Sequence, residues 1–295
     1  MLPAPFSLAQ TCGPVAWVGH RSPCHSWCED HLLWVGWEGD KVVWRQVRQQ
    51  PPTSLNITTN SLRVSSDGEW ARGVLGSDVR LPAFTDPVVQ SLSDRFIGLR
   101  PYCDGSVVDG IVTAIIGQSI SVAAAAVTQA RLAALFSAPL ARGDRDYRPL
   151  PRPDQLASAS PAIIRQSGVT MRRAEALGHA ARAFIAGDVP NDAEARRDPD
   201  GASRALQGLP LVGRWTAESA LLWGIGAPDA YPTGDVALLR AARLAYGRPA
   251  MDLRDLDQVA ERWRPARGLA ARLLWTALFG PAPGQADLHD ISQES

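Results

Sequence analysis

Lysine is all but missing: of 30 basic side chains, Lys41 is the only one that is not arginine. Chemistry that needs an amine, above all Schiff-base formation with a sugar aldehyde, therefore has one side-chain candidate besides the terminal amine. Excess charge is missing too. The 30 acidic residues cancel the basic ones, with nine of each in 1–100, fourteen against sixteen in 101–250, and seven against five in 251–295. Such a chain has no overall field to draw in a polyanion, so any affinity for one must come from a local patch, helix termini or a turn. No apolar run is long enough to span a bilayer, because Gln118, Ser119 and Ser121 interrupt the best candidate. The N-terminus also lacks the basic stretch and apolar stretch of a secretory signal, so the expected compartment is the cytoplasm, without membrane association. Four cysteines in 295 residues do not suggest a disulfide scaffold. Cys12, Cys24 and Cys28 lie near His20, His25 and His31, but the Cys-x3-Cys spacing has no second paired half. Packed or free thiols are the reading, with zinc as the alternative. Because no cysteine follows Cys103, the C-terminal half cannot ligate an iron–sulfur cluster.

What is present changes character along the chain. Residues 1–85 read as a small antiparallel β-rich domain. Leu32, Trp34 and Trp37, a Glu38-Gly39-Asp40 turn, then Val42, Val43, Trp44 and Val47 make a hairpin, and Leu62-Arg63-Val64 and Asp67-Gly68 continue the pattern. Six of the ten tryptophans fall here, at 17, 27, 34, 37, 44 and 70; a sheet core accounts for them better than a base-stacking platform does. From Asp86 the period becomes helical. Asp86-Pro87 is a start signal for Val88, Val89, Leu92 and Phe96. A helix over roughly 105–116, a break at Gly117-Gln118-Ser119 and a helix from Ser121 with the small face Ala123 to Ala126 follow. Residues 139–153 read as a surface loop, 154–165 and 170–186 as helices, and Gly187 to Gly201 as a polar connection. Asp252 to Trp263 and Ala266 to Phe279 are the last helices, which closes a helical unit over 86–280, and 281–295 reads as a disordered tail. The fold class is therefore α+β, mainly helical.

The densest signal lies in residues 206–240. Leu209-Pro210-Leu211-Val212-Gly213 is too short to fold back on its neighbours, so its amides must face outward, where phosphate oxygens could meet them. Tyr231-Pro232-Thr233-Gly234-Asp235 then halts the chain before Val236, Leu238 and Leu239, which sets the Asp235 carboxylate at the start of a helix. Taken with Asp109 to Ser121 and Ile164 to Leu177, these residues resemble the helix-hairpin-helix superfamily of DNA glycosylases, nearest to its 3-methyladenine DNA glycosylase II branch, over roughly residues 86–279. The resemblance implies a helix-hairpin-helix core and an enzyme that flips a damaged, alkylated purine out of duplex DNA and hydrolyses its N-glycosidic bond. The family pattern has Leu-Pro-Gly-x-Gly, and here Leu211 stands where the first glycine would be.

On that resemblance Asp235 is the catalytic carboxylate, an anion beside the deoxyribose as positive charge develops there. A plain helix cap is the competing account, and the two roles are compatible. Trp215 and Trp275 match aromatic pocket positions, with core packing as the alternative, while Ser219 and Val236 fall where the relative has tyrosines. Gln118 and Ser119 occupy the break that inserts a side chain into the flipped-out gap; serine is a poor wedge, so Gln118 or Ile120 could substitute. Leu209, Pro210, Leu211, Val212, Gly213, Arg214 and Thr216 would hold the DNA backbone. Carbonyls of Gln207, Leu209 and Val212 would hold a sodium or potassium ion, no other cofactor being required. Arg172 and Arg173 either extend a basic track or form an exposed helix face. In lyase-competent relatives a lysine follows the hairpin; here Trp215 stands in that place, which implies a monofunctional, monomeric enzyme, associated with the nucleoid in a bacterium. A non-catalytic binding module and an oxidised-guanine glycosylase are the alternative readings.

Overall fold

The computed structural model describes residues 5–50, 54–61 and 66–280. Two short helices, α1 (Leu8–Thr11) and α2 (Gly13–Val18), precede a four-stranded antiparallel sheet in the order β1 (His25–Cys28), β2 (His31–Glu38), β3 (Lys41–Gln50) and β4 (Ser54–Thr59). The hairpin read from the sequence is there, with Val35 opposite Trp44, Trp37 opposite Val42, and a two-residue turn between Glu38 and Lys41. Both faces of the sheet are covered. Leu32, Trp34, Val43 and Val47 pack with Phe6, Leu8, Val15 and the helix α3 (Ser66–Leu75). On the other face, Leu33 and Val35 pack with Tyr147. That double burial explains why β2 is apolar without alternation. Arg45, 1% exposed, is held by Glu38 at 2.5 Å and Asp67 at 2.9 Å, and lies over the Trp34 and Trp70 rings. A buried cation persists only with such partners.

Asp67-Gly68 belongs to α3, not to a strand: Trp70, Ala71, Val74 and Leu75 recur at helical spacing and are buried. Leu62, Arg63 and Val64 lie outside the described residues, as does the segment 281–295 that was read as a disordered tail.

The helical part begins with α4 (Pro87–Arg95), capped by Asp86 as read, and continues through α5 (Val107–Gly117) and α6 (Val122–Phe136). Of the small face on α6, Ala125 and Ala126 are buried while Ala123 and Ala124 face solvent. Residues 139–153 are no simple surface loop, since they contain the hairpin β5 (Leu140–Arg142) and β6 (Arg145–Tyr147). Its arginines made it read as polar, yet Arg142 lies 3.7 Å above the Trp44 ring centroid and Tyr147 is buried. The expected helix at 154–165 is two, α7 (Pro153–Ser158) and α8 (Pro161–Arg165), because Pro161 starts a new one. After α9 (Met171–Ala186), the connection read as irregular holds α10 (Asp192–Arg197) and α11 (Pro199–Leu206), each with its own side-chain cap, Asn191 and Asp198. Next come α12 (Arg214–Ile225), α13 (Val236–Ala245), α14 (Leu253–Ala260) and α15 (Arg267–Phe279).

Helices α5 and α12 form the spine. A Cβ on Gly110 would lie 2.3 Å from the Ala220 carbonyl oxygen, and one on Gly224 would lie 2.5 Å from that of Ser106, so the two backbones touch. Among the described residues no helix is long and apolar enough to cross a membrane.

Candidate functional site

Between α11 and α12 the turn is folded by two bonds, from the Leu209 amide to the Leu206 carbonyl and from the Val212 amide to the Leu209 carbonyl. Leu209 and Val212 are buried, which anchors the turn by apolar side chains and turns Pro210 and Gly213 outward. Against the expectation that these amides face outward, those of Leu209 and Val212 are spent inside the turn and their side chains are buried, so neither residue has a donor to offer a phosphate. Leu211 takes the left-handed conformation with φ +64°, the one a glycine would adopt freely. Gly213 caps α12 without a side chain, so the amides of Arg214, Trp215 and Thr216 have no intrahelical acceptor and gather the positive end of the helix. Thr216 is 3% exposed and its hydroxyl accepts from Gln118 Nε2 at 2.9 Å. Of the phosphate contacts expected from Thr216, the amide alone remains available.

Asp235 is both a cap and a member of this cluster. Its Oδ1 accepts from the Leu238 amide at 2.7 Å, and its Oδ2 accepts from Trp215 Nε1 at 3.0 Å. The indole bond ties the carboxylate to the residue that directly follows the turn, while the side chain stays only half-buried. Each oxygen keeps a lone pair for another partner. Sequence reading missed the support behind it. Tyr231 donates its amide to Glu218 Oε2 at 3.1 Å and its hydroxyl to Asp257 Oδ1 at 2.9 Å, with its ring edge-on to Trp263. Glu218 also accepts from Ser203 Oγ. The segment leading to Asp235 is thus pinned at its first residue from two helices. The one available signal was an isolated acid amid the small and apolar residues of α12.

Trp215 is half-buried beside Asp235, whereas Trp275 lies inside the core, 4% exposed with its ring 5.5 Å from that of Trp223. Trp275 was expected to line a pocket, and its packing leaves almost no face for a base. Val236, 72% exposed, stands immediately after the carboxylate, and Ser219 is buried. A cavity of about 300 Å³ opens beside Arg214, Thr233 and Arg254.

Gln118 is committed to the turn rather than free to insert into DNA. Its Nε2 donates to the Leu211 carbonyl at 2.8 Å as well as to Thr216, and its own carbonyl accepts from Arg173 at 2.5 Å. Ser119 is exposed with φ +58°, and Ile120 and Val122 beside it are exposed apolar side chains. Arg173 is therefore tied to the interhelical break, while Arg172 faces out.

Of the cysteine and histidine cluster, Cys12 is buried while Cys24, His25, Cys28 and His31 are half-buried. Among the described residues no three His, Cys, Asp or Glu side chains are arranged to hold a metal ion. Burial pushes the Cys24 thiol up to about 12 and His25 down to about 3, and His25 Nδ1 lies 3.0 Å from the Tyr102 hydroxyl. Side-chain placement of His20 lies outside the described residues.

Comparison with known proteins agrees with this geometry. DNA-3-methyladenine glycosylase 2 of Escherichia coli is 36% identical over 184 residues, 60% of this chain and 60% of that protein, so the match spans about three fifths of the relative. A solved 3-methyladenine DNA glycosylase from Archaeoglobus fulgidus superposes with a TM-score of 0.72 at 19% identity, over 93% of this chain and 92% of the other. The 8-oxoguanine glycosylase/lyase of Clostridium acetobutylicum does so with a TM-score of 0.66 at 16% identity, over 92% of each chain. At such identities the likeness is one of fold, and it takes in the N-terminal sheet as well as the helices. Residues 112–265, more than half of the sequence, match the superfamily model itself. On that match the chain belongs to the HhH-GPD superfamily of base excision DNA repair proteins.

Proposed function

We propose that the protein is a monofunctional DNA glycosylase, which binds duplex DNA carrying an alkylated purine, flips the damaged nucleotide and releases its base by hydrolysis, leaving an abasic site. The observation that carries this reading is the hydrogen bond between Trp215 Nε1 and Asp235 Oδ2. It sets an anion within reach of the amides at the start of α12, so a strand held there by its phosphates brings its sugar to the carboxylate. As the N-glycosidic bond breaks, positive charge grows on the deoxyribose, and a fixed carboxylate lowers the energy of that cation without reorganising. Trp215 and the exposed Val236 supply apolar surface beside the acid for an electron-poor base. Asp235→Asn keeps the cap through its one carbonyl oxygen and removes the charge, while its NH2 cannot accept from the Trp215 indole. We expect base release to fall by about 10²- to 10³-fold with DNA binding retained, as read by single-turnover release of base from an alkylated duplex. Full activity in that variant would refute the assignment.

The same reading makes the enzyme monofunctional. Lys41 lies on β3, in the N-terminal sheet, and Trp215 occupies the position after the turn, so no lysine stands at the site. Purified protein should leave intact strands with abasic sites, and scission should require added alkali or amine; a nicked product from the protein alone would overturn this point. The oxygen-only donor set of the turn fits a hard monovalent ion: no hydrogen bond among the described residues reaches the carbonyls of Gln207 and Val212, and that of Leu209 accepts one from Val212. A sodium or potassium ion held there would add positive charge facing the phosphates. The working form is proposed to be a cytoplasmic monomer, with duplex DNA as its partner.

A further inference from the structure

A neutral chain that grips a polyanion needs its cations in the right place, and at the start of α12 Arg214 makes no hydrogen bond or ion pair among the described residues. Most arginines of the C-terminal helices are committed elsewhere: Arg264 and Arg267 bind Asp229 and Glu261, Arg248 binds Asp255, and Arg262 reaches Asp86. A second groove lies on the other side of the turn. Pro210 and Leu211 form one wall and the exposed stripe Arg172, Glu175, His179 and Arg182 of α9 forms the other, enclosing about 380 Å³. These four positions fall at i, i+3, i+7 and i+10, one face of the helix. Arg172 and His179 make no hydrogen bond or ion pair among the described residues, and Arg182 makes a single long one, 3.4 Å, to the Ala157 carbonyl.

The two walls differ in a way that matches one polymer. An apolar Pro-Leu wall faces a wall that carries two arginines, and a sugar–phosphate strand has an apolar sugar face on one side and an anionic oxygen on the other. Leu211 widens this wall: a glycine there would leave Pro210 alone on the apolar side. The left-handed backbone that Leu211 accepts is steadied by Gln118. On the footing of the repair function proposed above, we infer that the groove between α9 and the turn is a second DNA-backbone site, taking phosphates of one strand of the bound duplex on Arg172 and Arg182 with the sugar between them against Pro210 and Leu211. Glu175 is the one acid in the groove and opposes the contact, which sets its strength.

Fluorescence anisotropy with an undamaged duplex, followed against salt concentration, tests this. Each lost phosphate contact lowers the slope of log K against log salt by about 0.9, so Arg172→Gln with Arg182→Gln should lower it by about one to two. Glu175→Gln should tighten binding several-fold, and Leu211→Ala should weaken it without altering the slope. An unaltered slope and affinity in the double arginine variant, with the wild-type protein still binding DNA, overturns the groove alone. Failure of the wild-type protein to bind DNA at any salt overturns the repair function together with it.

Discussion

At the scale of single residues, the arrangement turns on Gln118. One amide nitrogen serves two acceptors, one in the turn and one in α12, so the break between α5 and α6 and the turn between α11 and α12 are held as one piece. Gln118→Ala would leave the buried Thr216 hydroxyl and the Leu211 carbonyl without their donor, at a cost of about 1–3 kcal/mol. Urea unfolding should register that loss, and DNA affinity should drop with it; an unchanged unfolding midpoint would show that water replaces the amide. The role of Gln118 was not legible in the sequence, because its acceptors lie 93 and 98 positions away. Asp235 was legible, since a cap is written locally in Gly234-Asp235 and the apolar residues after it. Trp275 shows the opposite limit: a tryptophan on a helix reads alike whether its face is buried against Trp223 or open to a ligand.

Among elements, the α5–α12 contact places the turn. Because the backbones meet at Gly110 and Gly224, the start of α12 is fixed relative to α5 within the tolerance of a methyl group. Gly110→Ala should destabilise the protein by about 1–3 kcal/mol through overpacking, measured by thermal or urea unfolding. A neutral outcome would mean that the helices can separate without consequence. Helix boundaries from Asp86 onward were readable wherever a cap preceded an apolar stripe, as at Asp86, Ser121 and Asp252. Helices α10 and α11 were missed although Asn191 and Asp198-Pro199 announce them, because their exposed faces are so charged that no periodic apolar signal stands out. The β5–β6 hairpin was hidden for a related reason: its Arg142 lies over the Trp44 ring of the sheet and its Arg145 over the Tyr147 ring, contacts that composition counts as polarity.

For the whole molecule, half-buried ionisable groups near the N-terminal sheet and the start of α5 tie stability to pH. Burial raises Asp104 to about 6 and Asp109 to about 7 from an ordinary 3.8, so the folded protein holds their protons more tightly than the unfolded chain. What they contribute is complete below about pH 4 and is lost as pH climbs through 6 and 7. His25 acts in the other sense: with its value lowered from 6.5 to about 3, its contribution holds above 6.5 and is lost as pH falls toward 3. Asp109→Asn should therefore gain in melting temperature relative to the wild type on passing from pH 5 to pH 8, and a difference that stays flat would mean the carboxyl is solvated. The two ends of the described fold are fastened to each other as well, since Trp17 donates its indole N–H to the Gly280 carbonyl at 3.0 Å and stacks at a tilt on Phe279. Trimming the first two dozen residues would uncap the closing turn of α15 and bare an aromatic ring to the solvent, so damage done at the front of the chain would surface at its back as fraying and self-association.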